Sequence, residues 1–213
     1  MIVYAESNFV LELAFLRADH ENAERLLELS EAGRIRLVVP AFSLAEPHET
    51  LIRRAKARRS LLVQLSAEID ELARSKPYQA LAQRSRVVTG VLAASEEDER
   101  HRLNRVVERV IAGADVIPLT AGVAGMALEL QAELGLSAQD AIVYASVEAH
   151  LKRAPEQPRI FVNQNRKDFL TPDILDRLSG LHCRFIASFG GARAAVEKQL
   201  RTADASDAAP PLS

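Results

Sequence analysis

At 213 residues the chain is long enough for one domain with a sizeable core, and its 48% hydrophobic and 26% charged residues are those of an ordinary soluble protein. A formal net charge of -2 excludes a globally basic nucleic-acid binder, so any grip on RNA must come from a local patch. One cysteine, Cys183, excludes an internal disulfide and fits a reducing cytoplasm, and the start has no basic leader. The longest uncharged stretch, Val116 to Leu128, is too short to span a bilayer, so a cytoplasmic protein without membrane attachment is expected.

In chain order, the apolar run Ile2 to Tyr4 predicts a buried strand. Phe9 to Arg17 and Glu21 to Ala32 predict helices, with Gly33 in the stop position. Leu37 to Val39 reads as the second strand. Helical pattern then fills Ser43 to about Ser75 and Gln79 to Ala114, with the bend marked by Pro77. Further strands follow at Val116 to Ile117, Ile160 to Val162 and Arg184 to Ile186, with helices at Ala121 to Leu134 and Ala138 to Leu151. Strands alternating with helices predict an α/β/α sandwich around a parallel sheet, with the ligand crevice at the carboxyl ends of the strands. The residues from Arg58 to Ala114 read as a helical hairpin inserted on that core, and 201–213 as a disordered tail beyond a single domain over 1–200.

Four short acidic segments stand out: Glu6-Ser7-Asn8, Ser43-Leu44-Ala45-Glu46, Ser137-Ala138-Gln139-Asp140 and Asn163-Gln164-Asn165-Arg166-Lys167-Asp168. Each lies after a predicted strand or at the opening of a helix. Clustered carboxylates repel one another, and a hard divalent cation with oxygen ligands relieves that repulsion. The Ser-x-x-acid pattern around Glu46 and Asp140 equally suits capping boxes. Ser95-Glu96-Glu97-Asp98 repeats it away from any strand and reads as acid complementing a helix dipole. Glu6 and Asp168 have no such cap explanation, whereas Asn163 and Asn165 also suit loop-backbone bonding.

The basic run Arg53-Arg54-Ala55-Lys56-Ala57-Arg58-Arg59 places five charges around a whole helix circumference, which predicts a solvated face with one or two cations free for phosphate. Arg53, Arg54 and Lys56 are the RNA-binding candidates. The five histidines show no i, i+4 pair, and no P-loop, GxGxxG or nucleophile elbow occurs.

The four segments together resemble the PIN-domain ribonucleases, a family that includes many toxins of bacterial toxin–antitoxin pairs. The match runs from Met1 to about Phe189, through Glu6-Ser7-Asn8, Glu46, Asp140-Ala141 with Ala145-Ser146, and Asn163 to Asp168-Phe169. The resemblance implies a five-stranded parallel sheet of order 3-2-1-4-5. It also implies an endoribonuclease dependent on Mg²⁺ or Mn²⁺, held by Glu6, Glu46, Asp140 and Asp168, with Ser7, Asn163 and Asn165 supporting them. RNA substrate, a small antitoxin and a homodimer are the implied partners. Glu6 stands where the family carries Asp, and Asn163 where it carries a hydroxyl residue. A catalytically weak PIN-like module that binds RNA or a protein partner is the alternative expectation.

Overall fold

The computed structural model describes residues 1–207. Five strands, β1 (Ile2–Tyr4), β2 (Arg36–Pro40), β3 (Asp115–Ile117), β4 (Arg159–Val162) and β5 (Cys183–Ile186), form one parallel sheet of order β3-β2-β1-β4-β5. This is the expected order. The register pairs Val3 with Leu37 on one side and with Ile160 on the other.

Successive residues of the central strand face opposite layers, as the pleat requires. Val3 joins Leu37, Val39, Ile160 and Val162 in a core beneath α1 (Ser7–Phe15), α2 (His20–Glu31) and α9 (Phe189–Asp207). Ile2 and Tyr4 join Val38 and Phe161 in a second core beneath α5 (Ala121–Leu134), α6 (Ala138–Leu151) and α8 (Pro172–Gly180). The central strands β1 and β4 are buried on both faces. That explains why they read as continuous apolar runs rather than alternating ones.

Most element boundaries differ from expectation by one or two residues. Gly33 occupies the left-handed region just past α2, with φ of 67°, the conformation that the predicted stop requires. The sequence reading did not place α8, α9 or the short α7 (Arg166–Phe169). α9 continues to Asp207, so the disordered tail assigned from Arg201 is corrected over 201–207. Its Arg-Thr-Ala-Asp-Ala sequence keeps helix-forming residues while the helix base is docked through Phe189, Ala192 and Val196. Residues 208–213 of that assignment lie outside the described residues.

The insert is a hairpin of α3 (Phe42–Ala73) and α4 (Gln79–Gly113), turning at Arg74 to Tyr78. Its base packs into the first core through Leu51, Leu103, Val106 and Val110. Arg58 donates two hydrogen bonds of 2.7 Å to Glu99 across the hairpin. Arg54 lies 4.4 Å from the centroid of the Phe15 ring and 3.6 Å from Glu99. Arg102 Nε donates to the carbonyl of Ala14 at 3.0 Å, fastening α4 to the end of α1.

Two details of the sequence reading change here. Ser95 to Asp98 lies inside α4, not at a helix start, so no dipole is complemented there: Glu96 meets Arg59 across the hairpin, and Glu97 pairs with Arg100 and His101 of its own helix. Arg54 is half-buried and engaged, leaving Arg53 and Lys56 as the exposed members of the basic trio. Leu61, Leu72 and Ile111, which recur at helical spacing along the hairpin, are nonetheless exposed.

Candidate functional site

The chain leaves β1 through Ala5, whose N–H donates to the carbonyl of Val38 at 3.0 Å, and delivers Glu6 at the end of the sheet. Asn163 leaves β4 in the same way, donating its N–H to the carbonyl of Ile186 at 3.1 Å. These two exits, the start of α3 and the start of α6 converge on a crevice of about 440 Å³ lined by Glu6, Ser7, Asn8, Glu46, Asp140 and Asn165. Gln139 and Gln164 complete its polar wall, and neither was singled out from sequence.

Glu6 has a structural duty that the sequence did not reveal. It is the N-cap of α1, its Oε2 accepting from the N–H of Asn8 at 3.1 Å. Its other oxygen, Oε1, is buried without a hydrogen-bond partner. Burial raises the Glu6 carboxyl to about pH 7, and the charges of Glu46 and Asp140 push the same way against the two Asn8 hydrogen bonds.

The capping-box reading divides. Ser137 is the N-cap of α6, its Oγ accepting from the Asp140 N–H at 3.1 Å and donating to Asp140 Oδ2 at 2.6 Å. Asp140 thus belongs to a cap while lining the crevice. At α3 no capping box forms, because the helix begins at Phe42 behind Ala41 and places Ser43 already inside it. Glu46 instead accepts from Ser7 Oγ, which ties α1 to α3.

Asp168 does not line the crevice. It sits one hydrogen bond behind it, where Asn165 Nδ2 donates to Asp168 Oδ2 at 2.8 Å and to Asp140 Oδ1 at 3.3 Å. Asn163, 1% exposed, shapes this loop by accepting the Asn165 N–H on its Oδ1 at 2.8 Å. Its role is the loop-backbone bond that Asn favours in turns.

Sequence reasoning also missed Asp19. Its Oδ2 accepts from the Phe189 N–H at 2.8 Å and from Gln164 Nε2 at 3.4 Å, joining the start of α9 to the crevice loop. The buried Glu12 in turn accepts the Asp19 N–H at 2.9 Å. Locally the Asp19 carboxylate accepts from Asn22, and the partners that tie it to the site lie 145 and 170 residues away.

Among the described residues, no three of His, Cys, Asp or Glu stand together closely enough to hold a cation. Glu46, Asp140 and Asp168 are each turned toward a neighbouring hydroxyl or amide donor. The donor chemistry nevertheless fits a hard divalent ion: the set is carboxylate oxygen, and the orphaned Glu6 Oε1 is an acceptor lacking a partner.

A parallel sheet of order 3-2-1-4-5, with helices on both sides and an acidic crevice at its carboxyl edge, is the architecture of the PIN fold. The chain matches the PIN-domain family over residues 3–169 and belongs to it, a family whose members are generally nucleases. No curated protein matches it by sequence. Among solved structures it is similar to that of VapBC2 from Rickettsia felis bound to a DNA fragment from their promoter, at 15% identity and a TM-score of 0.42, covering 87% of this chain and 98% of that one. No described helix is long and apolar enough to cross a membrane.

Proposed function

We propose that the chain is a divalent-metal-dependent endoribonuclease that hydrolyses RNA phosphodiester bonds, in the manner of toxin members of the family. The observation that carries this reading is that Glu6, with its Oε1 buried and unpartnered, lines one polar crevice with Glu46 and Asp140. Glu6, Glu46 and Asp140 would hold Mg²⁺ or Mn²⁺, with Asp168 reaching the site through Asn165. When bound, the cation supplies charge stabilisation at the scissile phosphate and a more acidic water.

The protein's own residues do the positioning. Ser7 orients Glu46, and Ser137 and Asn165 orient Asp140. Arg53 lies seven residues after Glu46, two helical turns and roughly 10 Å along the same face of α3, where it can meet an RNA phosphate. Lys56 is exposed one turn further. An antitoxin that masks the acidic crevice and a homodimeric state belong to the same proposal.

Cleavage of RNA in Mn²⁺ by the wild type but not by Asp140→Asn, leaving 5′-phosphate and 3′-hydroxyl ends, is the expected result. Equal cleavage by both proteins would sink the catalytic assignment. A second reading, a PIN-like module that binds RNA or protein with little catalysis, is favoured by the longer Glu6 side chain and its engagement as a helix cap. Calorimetric titration with Mn²⁺ separates the two. Micromolar binding lost in Asp140→Asn supports the enzyme, and no binding supports the module.

A further inference from the structure

A second hollow, of about 980 Å³, opens at the opposite end of the sheet, where β4 and β5 begin and α9 passes over them. Its volume lies in the range of small-molecule sites. Arg159, Arg184, Lys198 and His182 stand on its wall, and among the described residues no Asp or Glu does. That is a concentrated positive surface on a chain whose formal net charge is -2.

Arg159 is the informative member. It is 7% exposed, and its guanidinium donates only to carbonyls, those of Leu181 at 2.9 Å, Ala154 at 2.8 Å and Pro155 at 2.7 Å, with a longer contact of 3.5 Å to Leu151. No described carboxylate forms an ion pair with it, and its Nε is buried without a partner. A buried cation compensated only by dipoles leaves uncancelled positive potential, which an anion entering the hollow would neutralise. Arg184 and Lys198 are exposed at the mouth and carry no ion pair among the described residues. On an adjoining surface the exposed Glu156 lines a smaller hollow shared with Arg159 and His182.

The wall is not wholly polar. Leu175 and Phe185 line it beside the cations. Guanidinium forks suit phosphate oxygens, and an aromatic or apolar wall suits a nucleobase. We propose that this hollow binds a nucleoside phosphate across the open edge of β5, with the phosphate at Arg184 and Lys198 on the α9 side and the base against Phe185 and Leu175 on the α8 side. The site is separate from the acidic crevice and does not depend on the nuclease reading.

The test is calorimetric titration of the full chain with AMP in EDTA, which keeps any bridging cation from the acidic crevice. Inorganic phosphate and a short single-stranded RNA serve as parallel probes. AMP should bind in the micromolar range, and Arg184→Glu with Lys198→Glu should weaken it by at least about tenfold, since two charge-assisted contacts become repulsive. Both positions are exposed, so an unchanged melting midpoint will show that the variant is folded. Asp140→Asn should leave AMP affinity unchanged. Absent binding at millimolar AMP, or equal affinity in the charge-reversed variant, overturns the proposal. Phosphate binding as tightly as AMP removes the nucleoside from it, and RNA binding that alone responds to the variant replaces it with a strand-binding surface.

Discussion

Ser7 Oγ donates its hydrogen bond to Glu46 Oε2, so the first turn of α1 holds the acid of α3 in place. The two residues are 39 apart in sequence, and the bond closes one wall of the crevice. Ser7 is 3% exposed, so water cannot replace the donor freely.

Ser7→Ala should therefore lower Mn²⁺ affinity and RNA cleavage by about 10–100-fold, the usual effect of removing a residue that orients a metal-binding carboxylate. The melting midpoint should move little, because Glu46 remains within reach of solvent. Calorimetry and a cleavage assay on one preparation check both parts. Unchanged affinity and rate would show that the bond serves packing alone.

Glu6 makes the metal-free protein sensitive to pH. Its folded value, about 7, is raised above the ordinary 4.5 chiefly by burial. The folded state thus binds the proton more tightly than the unfolded state. The contribution is fully present below 4.5 and is lost as pH rises through about 7. On the order of 3 kcal/mol is at stake over that window. Urea unfolding in EDTA at pH 5 and pH 8 should show the loss, and Glu6→Gln should abolish that part of the slope.

The Arg58–Glu99 pair fastens the hairpin where it leaves the body. Glu99 is 7% exposed, so Arg58→Ala leaves its buried carboxylate only the longer 3.6 Å contact with Arg54 and should destabilise the protein by about 3 kcal/mol. Arg58→Met combined with Glu99→Leu should recover most of that, as apolar replacements of buried ion pairs often do. Denaturant unfolding of the single and double variants provides the comparison.

Asp19→Ala should cost roughly 1–3 kcal/mol by leaving the Phe189 N–H and the Asn22 amide without their acceptor. It should also slacken the crevice loop, since Gln164 shares the same carboxylate. Amide hydrogen exchange at the start of α9 should accelerate. Exchange unaltered there would mean that Phe189 packing against Phe9, 5.5 Å between ring centroids, holds the helix alone.

Arg53→Ala with Lys56→Ala should weaken RNA binding across sequences and flatten its salt dependence, leaving Mn²⁺ affinity unchanged. An unaltered salt slope would assign the pair to a solvated helix face.

The sequence by itself determined the strands, the two long helices of the insert and the convergence of Glu6, Glu46 and Asp140. Apolar runs and helical periodicity are local, and strand ends in a parallel sheet necessarily open on one edge. Tertiary structure alone decided what each acid does there. Glu6 became a helix cap with one orphaned oxygen, Glu46 was drawn to Ser7, and Asp168 was set behind Asn165. It also decided that Arg54 lies on Phe15 while Arg53 stays free of ion pairs among the described residues, and that Asp19 reaches Phe189. The Glu6–Asn8 and Asn165–Asp168 bonds are local, but the Ser7–Glu46 and Asp19–Phe189 bonds join residues 39 and 170 apart. Side-chain hydrogen bonds are set by which donors the packed helices bring within about 3 Å, and no local spacing encodes that.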